Sequence, residues 1–412
     1  MENQGARGLS KNLIYPVAFI SQTALSVFSL SIPILAYELK SSPFEVGLVG
    51  GSMGFLYCFA PAIFGRTSDS LGRKSLVVAA LLVYSCLGIL FPLSRNILEL
   101  LILGVLTGLS NSLLWPSLEA LTVEVGGDLE GALRNYNLSW GLGVILGPSI
   151  AGGLISLLGI EAPFLFVATI SFPTALLVTL VLKEPRIRIP IQDGNGGHDY
   201  EREYKYEFKK ERVQVRVQEE EKKKIKDSTS SSHLIALGIA ALQGFFTGIL
   251  LSIFPAQAVA ANVSPWEIGL ATLLSGITRI LAFYLIPILK PIFGRPPLLT
   301  IGIFFHSIAF FPLSIGFEPH LFYITFLLVG LASGITYATS LATLLEDEGR
   351  RGGKAGSFES MIGLGYFLGP IIGGAAANLY VSCPYIICLA LSLLAGIVQV
   401  YYLRKTQRLL IK

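Results

Sequence analysis

Charge is scarce in this chain. Of its 412 residues only 14% are charged, against about 25% in an average soluble domain. Neither sign dominates, since 31 Lys and Arg face 27 Asp and Glu for a net charge of +4. A nucleic-acid surface needs clustered basic groups, so that partner is excluded. Cysteine and histidine number four each. Cys58, Cys86, Cys383 and Cys388 have neither metal-ligand spacing nor a disulfide pattern. There is no HExxH, no Walker loop, no CxxC and no pair of intramembrane aspartates, so no metal, no cofactor and no ATP-driven pump are expected. Gly50-x-Ser52-x-Gly54 has the spacing of a nucleophile elbow. It falls inside an apolar helix rather than at a strand–turn–helix corner, and it reads as a close-packing face. An enzyme is not expected.

What fills the chain instead is apolar: 52% hydrophobic residues, with 43 Gly and 25 Phe. About 20 apolar residues in a helix cross the hydrocarbon core of a membrane. Six such stretches lie within residues 12–182 and six more within 228–403, one of them interrupted only by Arg279. The expected fold class is therefore all-α and integral to the membrane, with twelve transmembrane helices. The first apolar run is too long for a signal peptide and reads as the first helix. With the N-terminus inside, 28 Lys and Arg fall in inside loops and tails, and only Lys40 and Arg95 fall outside. That asymmetry predicts a multi-pass protein of the plasma membrane with both termini cytoplasmic.

Shifted by 222 residues, the sequence lies on itself. Ser42-Pro43-Phe44-Glu45-Val46-Gly47-Leu48 meets Ser264-Pro265-Trp266-Glu267-Ile268-Gly269-Leu270. Gly72-Arg73 meets Gly294-Arg295, and Gly141-Leu142-Gly143-x-x-Leu146-Gly147-Pro148 meets Gly363-Leu364-Gly365-x-x-Leu368-Gly369-Pro370. A six-helix unit enters from the same side in both copies, so the two are parallel repeats about an axis along the membrane normal, with a cavity between them. The domains follow: a cytoplasmic N-terminal tail at 1–12, a bundle at 13–183, a charged cytoplasmic linker at 184–232, a second bundle at 233–403 and a cytoplasmic tail at 404–412. The alternations Tyr204-x-Tyr206-x-Phe208 and Val213-x-Val215-x-Val217 in the linker allow a small hairpin, though a flexible tether is the preferred reading.

Between the second and third helices the chain reads Gly65-Arg66-Thr67-Ser68-Asp69-Ser70-Leu71-Gly72-Arg73-Lys74. This resembles the signature of the major facilitator superfamily, G-x-x-x-D-x-x-G-R-[KR], at Gly65, Asp69, Gly72, Arg73 and Lys74. In the second copy only Gly294-Arg295 survives. The resemblance implies a secondary transporter whose signature loop is a conformational latch in the outward-facing state. An anion at Asp69 near the start of helix 11 would gain about 0.3–1 kcal/mol from a helix N-terminus. Helix 5 carries Gly143-x-x-x-Gly147-Pro148-x-x-x-Gly152-Gly153, similar to the superfamily's antiporter motif with one extra residue between Pro and the Gly pair. Because helix 11 repeats it at Gly369 and Pro370, these residues are read as helix pivots.

Function is expected where the copies differ. Arg279 sits near mid-membrane, opposite Tyr57 in the repeat, and a charge there is costly and usually functional. On helix 4, Gly104, Gly108, Asn111, Trp115 and Glu119 share one face. Glu119 either carries a proton or sits at the interface. Gln22, Gln243, Gln257 and Tyr337 are polar groups on helices expected to face the cavity. His306 is expected as a packed histidine, and Glu359 as a first-turn carboxylate of helix 11. The expected function is alternating-access transport of a small solute, with proton-coupled efflux of small organic compounds first. Import or exchange of a polar or anionic metabolite is the alternative, and a non-transporting receptor is a remote one. The energy source would be a proton gradient, the partners lipid and a small molecule, and the protein a monomer.

Overall fold

A computed structural model describes residues 2–60, 72–125, 129–182, 212–344 and 351–410. Lipid offers no partners for backbone polar groups, so a spanning chain must satisfy them within helices or a closed barrel. Twelve α-helices are described: α1 (Glu2–Glu38), α2 (Pro43–Tyr57), α3 (Arg73–Leu90), α4 (Ile97–Val125), α5 (Leu129–Leu158), α6 (Ala162–Val181), α7 (Arg212–Ala260), α8 (Pro265–Phe293), α9 (Arg295–Ile315), α10 (Pro319–Leu344), α11 (Arg351–Ala377) and α12 (Cys383–Leu410). Eleven are long and apolar enough to cross a membrane. The described part of α2 has 15 residues, which is about 22 Å at 1.5 Å per residue. Residues 212–232 continue α7 as helix, so Val213, Val215 and Val217 form no strand. Tyr204, Tyr206 and Phe208 lie outside the described residues.

The 222-residue repeat is written into the backbone. Lys40 and Asn262 both take a φ of 61°, turning the chain into α2 and α8. The next serines, Ser42 and Ser264, each close a capping box with Glu45 and Glu267, satisfying end N–H groups from both directions. Gly72 and Gly294 take φ values of 83° and 78°, where a side chain would be strained. The prolines within helices are tolerated because neighbouring helices re-satisfy the freed backbone groups.

Each half has its own aromatic core. Phe28, Phe91 and Phe164 cluster with Tyr84 in the first, and Phe254, Phe317, Phe322 and Phe326 in the second. The outward faces carry exposed Leu157, Leu180, Tyr284 and Ile397, which suits a surface bathed in lipid rather than water.

The halves meet along two seams, α2 with α11 and α5 with α8, and small residues set their closeness. A methyl group added at Gly47 would lie 2.2 Å from the Pro370 carbonyl oxygen. At its repeat partner Gly269 it would lie 2.7 Å from that of Pro148. Gly152 abuts the Pro265 carbonyl and Gly374 that of Pro43, at 2.2 and 2.4 Å. These contacts close the molecule at the end bearing Ser42 and Ser264, here called the Ser42 face. The opposite end, bearing Gly72 and Gly294, is the Gly72 face.

Candidate functional site

Between the halves lies a cavity of about 370 Å³, within the range of small-molecule pockets. Helix phase aims its polar walls. On α4, steps of four residues bring Asn111, Trp115 and Glu119 into it. α1 supplies Gln22 and Ser26, and α5 supplies Tyr136, Asn137 and Trp140. α7 supplies Gln243 and Thr247, and α8 supplies Thr272, Ser275 and Arg279. α10 supplies Tyr337, while α11 supplies Glu359 and Tyr366.

Seven of the eight residues singled out for coupling or substrate therefore line one space: Gln22, Asn111, Trp115, Glu119, Gln243, Arg279 and Tyr337. Gln257 does not, which corrects its expected place. It lies 14 residues beyond Gln243 on α7, about 21 Å further along the axis, where the Ser42 face is already closed. There its Oε1 accepts the Tyr385 hydroxyl at 2.6 Å and its Nε2 donates to the Val381 carbonyl at 3.0 Å.

Glu359 was expected in the first turn of its helix. The helix begins two turns earlier, at Arg351, and this carries the carboxylate into the cavity wall. The Tyr57 hydroxyl donates to its Oε2 at 3.4 Å from across the α2–α11 seam, and the Tyr337 hydroxyl to its Oε1 at 3.3 Å. Glu119, on the opposite half, stands exposed to the cavity that Glu359 also lines. It has no hydrogen-bond partner among the described residues. Arg279 likewise makes no ion pair or hydrogen bond with any described residue, and its Nε is buried without a partner.

Other polar groups are held from behind. Asn111 Oδ1 accepts the hydroxyl of fully buried Tyr84 on α3. Gln243 accepts from Thr336 at 3.3 Å and donates to the Ser333 carbonyl at 3.4 Å. Trp140 Nε1 donates to Asn137 Oδ1 at 3.0 Å. His306 is packed outside the cavity, between Phe246 and Phe310, with Nδ1 3.1 Å from the Gly302 carbonyl oxygen.

Tyr366, Tyr136, Asn137 and Trp140 carry no mark of a site in the sequence, and Tyr57 is marked there only as the repeat partner of Arg279. The signal that finds Tyr57, Asn137 and Tyr366 is the repeat. Tyr57 is the partner of Arg279, Asn137 of Glu359 and Val144 of Tyr366, and all six line the cavity.

The expected pivots pack tightly. A methyl at Gly147 would lie 2.4 Å from Ser26 Cβ on α1, and one at Gly369 2.4 Å from the Phe245 carbonyl oxygen on α7. Pro148 borders the cavity, and Pro370 packs against Gly248. Of the expected latch, Gly65 and Asp69 lie outside the described residues. Gly72 makes the left-handed turn into α3, where Arg73 begins the helix. Lys74 Nζ donates to the Thr179 carbonyl at the end of α6, at 2.8 Å.

Comparison with known proteins agrees with this architecture. The profile described as Major Facilitator Superfamily matches residues 14–343 and 236–409. Multidrug resistance protein 1 of Bacillus subtilis is 26% identical over 181 residues, which is 43% of this chain and 46% of that protein, so this match spans less than half of either. An uncharacterised MFS-type transporter of Methanocaldococcus jannaschii is 24% identical over 96% of this chain and 98% of its own. Quinolone resistance protein NorA of Staphylococcus aureus is 25% identical over 90% of each. Among solved structures, a mutant of the nucleoside transporter NupG superposes with a TM-score of 0.71 at 15% identity, covering 95% of this chain and 99% of that one. A bacterial homologue of the lysosomal transporter Spinster gives 0.66 at 15% identity, covering 97% and 96%. With a profile match across nearly its whole length, the chain belongs to the major facilitator superfamily and is a membrane transporter.

Proposed function

We propose that this transporter is a proton-coupled exporter of small organic compounds. It lies in the plasma membrane with both termini in the cytoplasm. The placement of Lys and Arg supports assigning the Gly72 face to the cytoplasm. The seams closed at the Ser42 face then correspond to an inward-facing arrangement, ready to load from within. The observation that carries the reading is the pair Glu119 and Glu359. They are two carboxyl groups lining one cavity, one from each half, with no cationic partner among the described residues. A site of that kind lets a proton and a substrate compete, and a ligand drives a conformational change only if it binds the two states differently. The relatives named for multidrug and quinolone resistance support export.

The test uses everted vesicles containing the full chain. An imposed proton gradient, acid inside, should drive accumulation of an amphipathic cationic dye, and Glu119→Gln with Glu359→Gln should remove the gradient dependence. Accumulation indifferent to the gradient would overturn the proposal. A second reading, import or exchange of an anionic metabolite, is favoured by the unpaired Arg279. It predicts loss of transport in Arg279→Ala but not in Arg279→Lys.

A further inference from the structure

The cavity holds two separated poles of opposite charge. Position 57 is the repeat partner of position 279, so the two lie at equal depth on opposite sides of the pseudo-twofold axis. The packing bears out that relation: Gly54 abuts Phe367 across one seam, and its partner Gly276 abuts Ile145 across the other, 145 being the partner of 367. Glu359 is hydrogen-bonded to Tyr57 and so belongs to the α2–α11 side, facing Glu119. Arg279 belongs to the α5–α8 side. Tyr337, whose hydroxyl donates to Glu359, and Tyr366 line the same space. The remaining titratable group on the wall is Tyr136.

A lone guanidinium in a low-dielectric space is costly unless paired. Its planar donors match a carboxylate bidentately. The opposite pole lacks a cation in the same way. If Arg279 and the carboxylates served each other, the cavity would hold an internal ion pair, but no such pair forms. A solute carrying one charge completes one pole and leaves the other bare. A solute carrying both completes both. Trp115 and Trp140 line the same space and offer aromatic faces suited to a flat ring and to a nearby cation.

We infer that the preferred substrate class is a rigid aromatic zwitterion, with its carboxylate on Arg279, its ammonium group at Glu119 and Glu359, and its ring against Trp115 and Trp140. This rests on the reading of the cavity as a substrate site and narrows what that site takes.

The experiment measures binding to the purified full-length protein with three matched probes: 4-(piperazin-1-yl)benzoic acid, its methyl ester, which is only a cation, and its N-acetyl derivative, which is only an anion. The acid should bind at least tenfold more tightly than either. Arg279→Gln should bring the acid down to the affinity of the ester and leave the ester unchanged. Glu119→Gln combined with Glu359→Gln should bring it down to that of the N-acetyl compound. Arg279→Lys, which keeps the charge, should retain a preference for acid over ester and guards against a folding defect in the Gln variant. An ester that binds as tightly as the acid, or an acid-to-ester ratio unmoved by Arg279→Gln, overturns the inference. The vesicle assay with a purely cationic dye is independent. If the dye still accumulates with the gradient while the acid shows no preference, the zwitterion class alone falls. If the preference holds and the dye does not respond, proton coupling falls.

Discussion

Two glutamines on one helix show how depth decides the work of a side chain. Gln243 faces the cavity and is steadied by Thr336 and the Ser333 carbonyl. Gln257, on the same helix, ties α7 to Tyr385 and Val381 near the closed face. Losing a typical hydrogen bond costs about 0.5–1.5 kcal/mol, and leaving a buried partner unsatisfied costs about 1–3. Gln257→Ala should therefore lower the unfolding midpoint of the purified protein by a few degrees and leave the affinity for a transported compound within twofold. Gln243→Ala should change that affinity several-fold. Thermal unfolding and ligand titration on the same preparations separate the two, and equal affinity losses would refute the placement of Gln257. Tyr57 makes a different prediction. Its hydroxyl is donated across the seam to Glu359, a bond to an ionisable group worth about 1.5 kcal/mol at the weak end of its range. Tyr57→Phe should slow transport by about tenfold at saturating substrate, with a smaller change in half-saturating concentration. The Glu359→Gln background should shrink that effect, because the charge that strengthens the bond is gone.

At the scale of helices, the seams are governed by absence of side chains. The Cβ of an alanine at Gly47 or Gly269 would meet backbone oxygen at 2.2 or 2.7 Å, and a carbonyl in a packed helix cannot yield as a flexible side chain can. By contrast, the Cβ of an alanine at Gly141, at the other end of the α5–α8 seam, would have as its nearest neighbour Ile280 Cδ1 at 3.9 Å. Gly47→Ala and Gly269→Ala should thus disfavour closure of the Ser42 face, and Gly141→Ala should not. Labelling of a cysteine introduced at cavity position 275 by a membrane-impermeant reagent, added from each side of oriented vesicles, reads the balance. The first two variants should raise labelling from the Ser42 side at least threefold. Much of this scale was legible from residues. The polar members of apolar helices, Asn111, Glu119 and Arg279, announce themselves because lipid does not tolerate them. Trp140, Tyr136 and Tyr366 do not, because an aromatic ring suits lipid, core and ligand alike. Glu359 was misplaced because Arg350, Arg351 and Lys354 obscure where the apolar helix starts, and a shift of two turns moves a side chain about 11 Å along the axis.

For the whole molecule, the repeat made the architecture readable, and it also defines the motion that transport requires. The Ser42 face is sealed by contacts that come in symmetric pairs and that all join one half to the other, so opening must separate both seams together. Polar contacts add to the seal on the α5–α8 side. Ser156 Oγ accepts the Trp266 backbone N–H at 3.2 Å, and Ser149 Oγ donates to the Gly269 carbonyl at 3.2 Å. A disulfide requires Cα atoms within about 7 Å, and the short reach from the Ser156 side chain to the Trp266 backbone makes that pair a suitable clamp. The four native cysteines are free, and Cys86 is exposed, so they are first replaced by serine or alanine. In that background, Ser156→Cys with Trp266→Cys should cross-link on mild oxidation. The oxidised protein should lose at least 90% of its transport while still binding a dye presented from the Gly72 face, and a reductant should restore transport. Alternating access by two moving halves requires this pattern, since a molecule clamped shut on one face can load but cannot deliver. Full transport by the cross-linked protein would show that solute passes without the halves parting at the Ser42 face, and rocking about the central cavity would have to be abandoned.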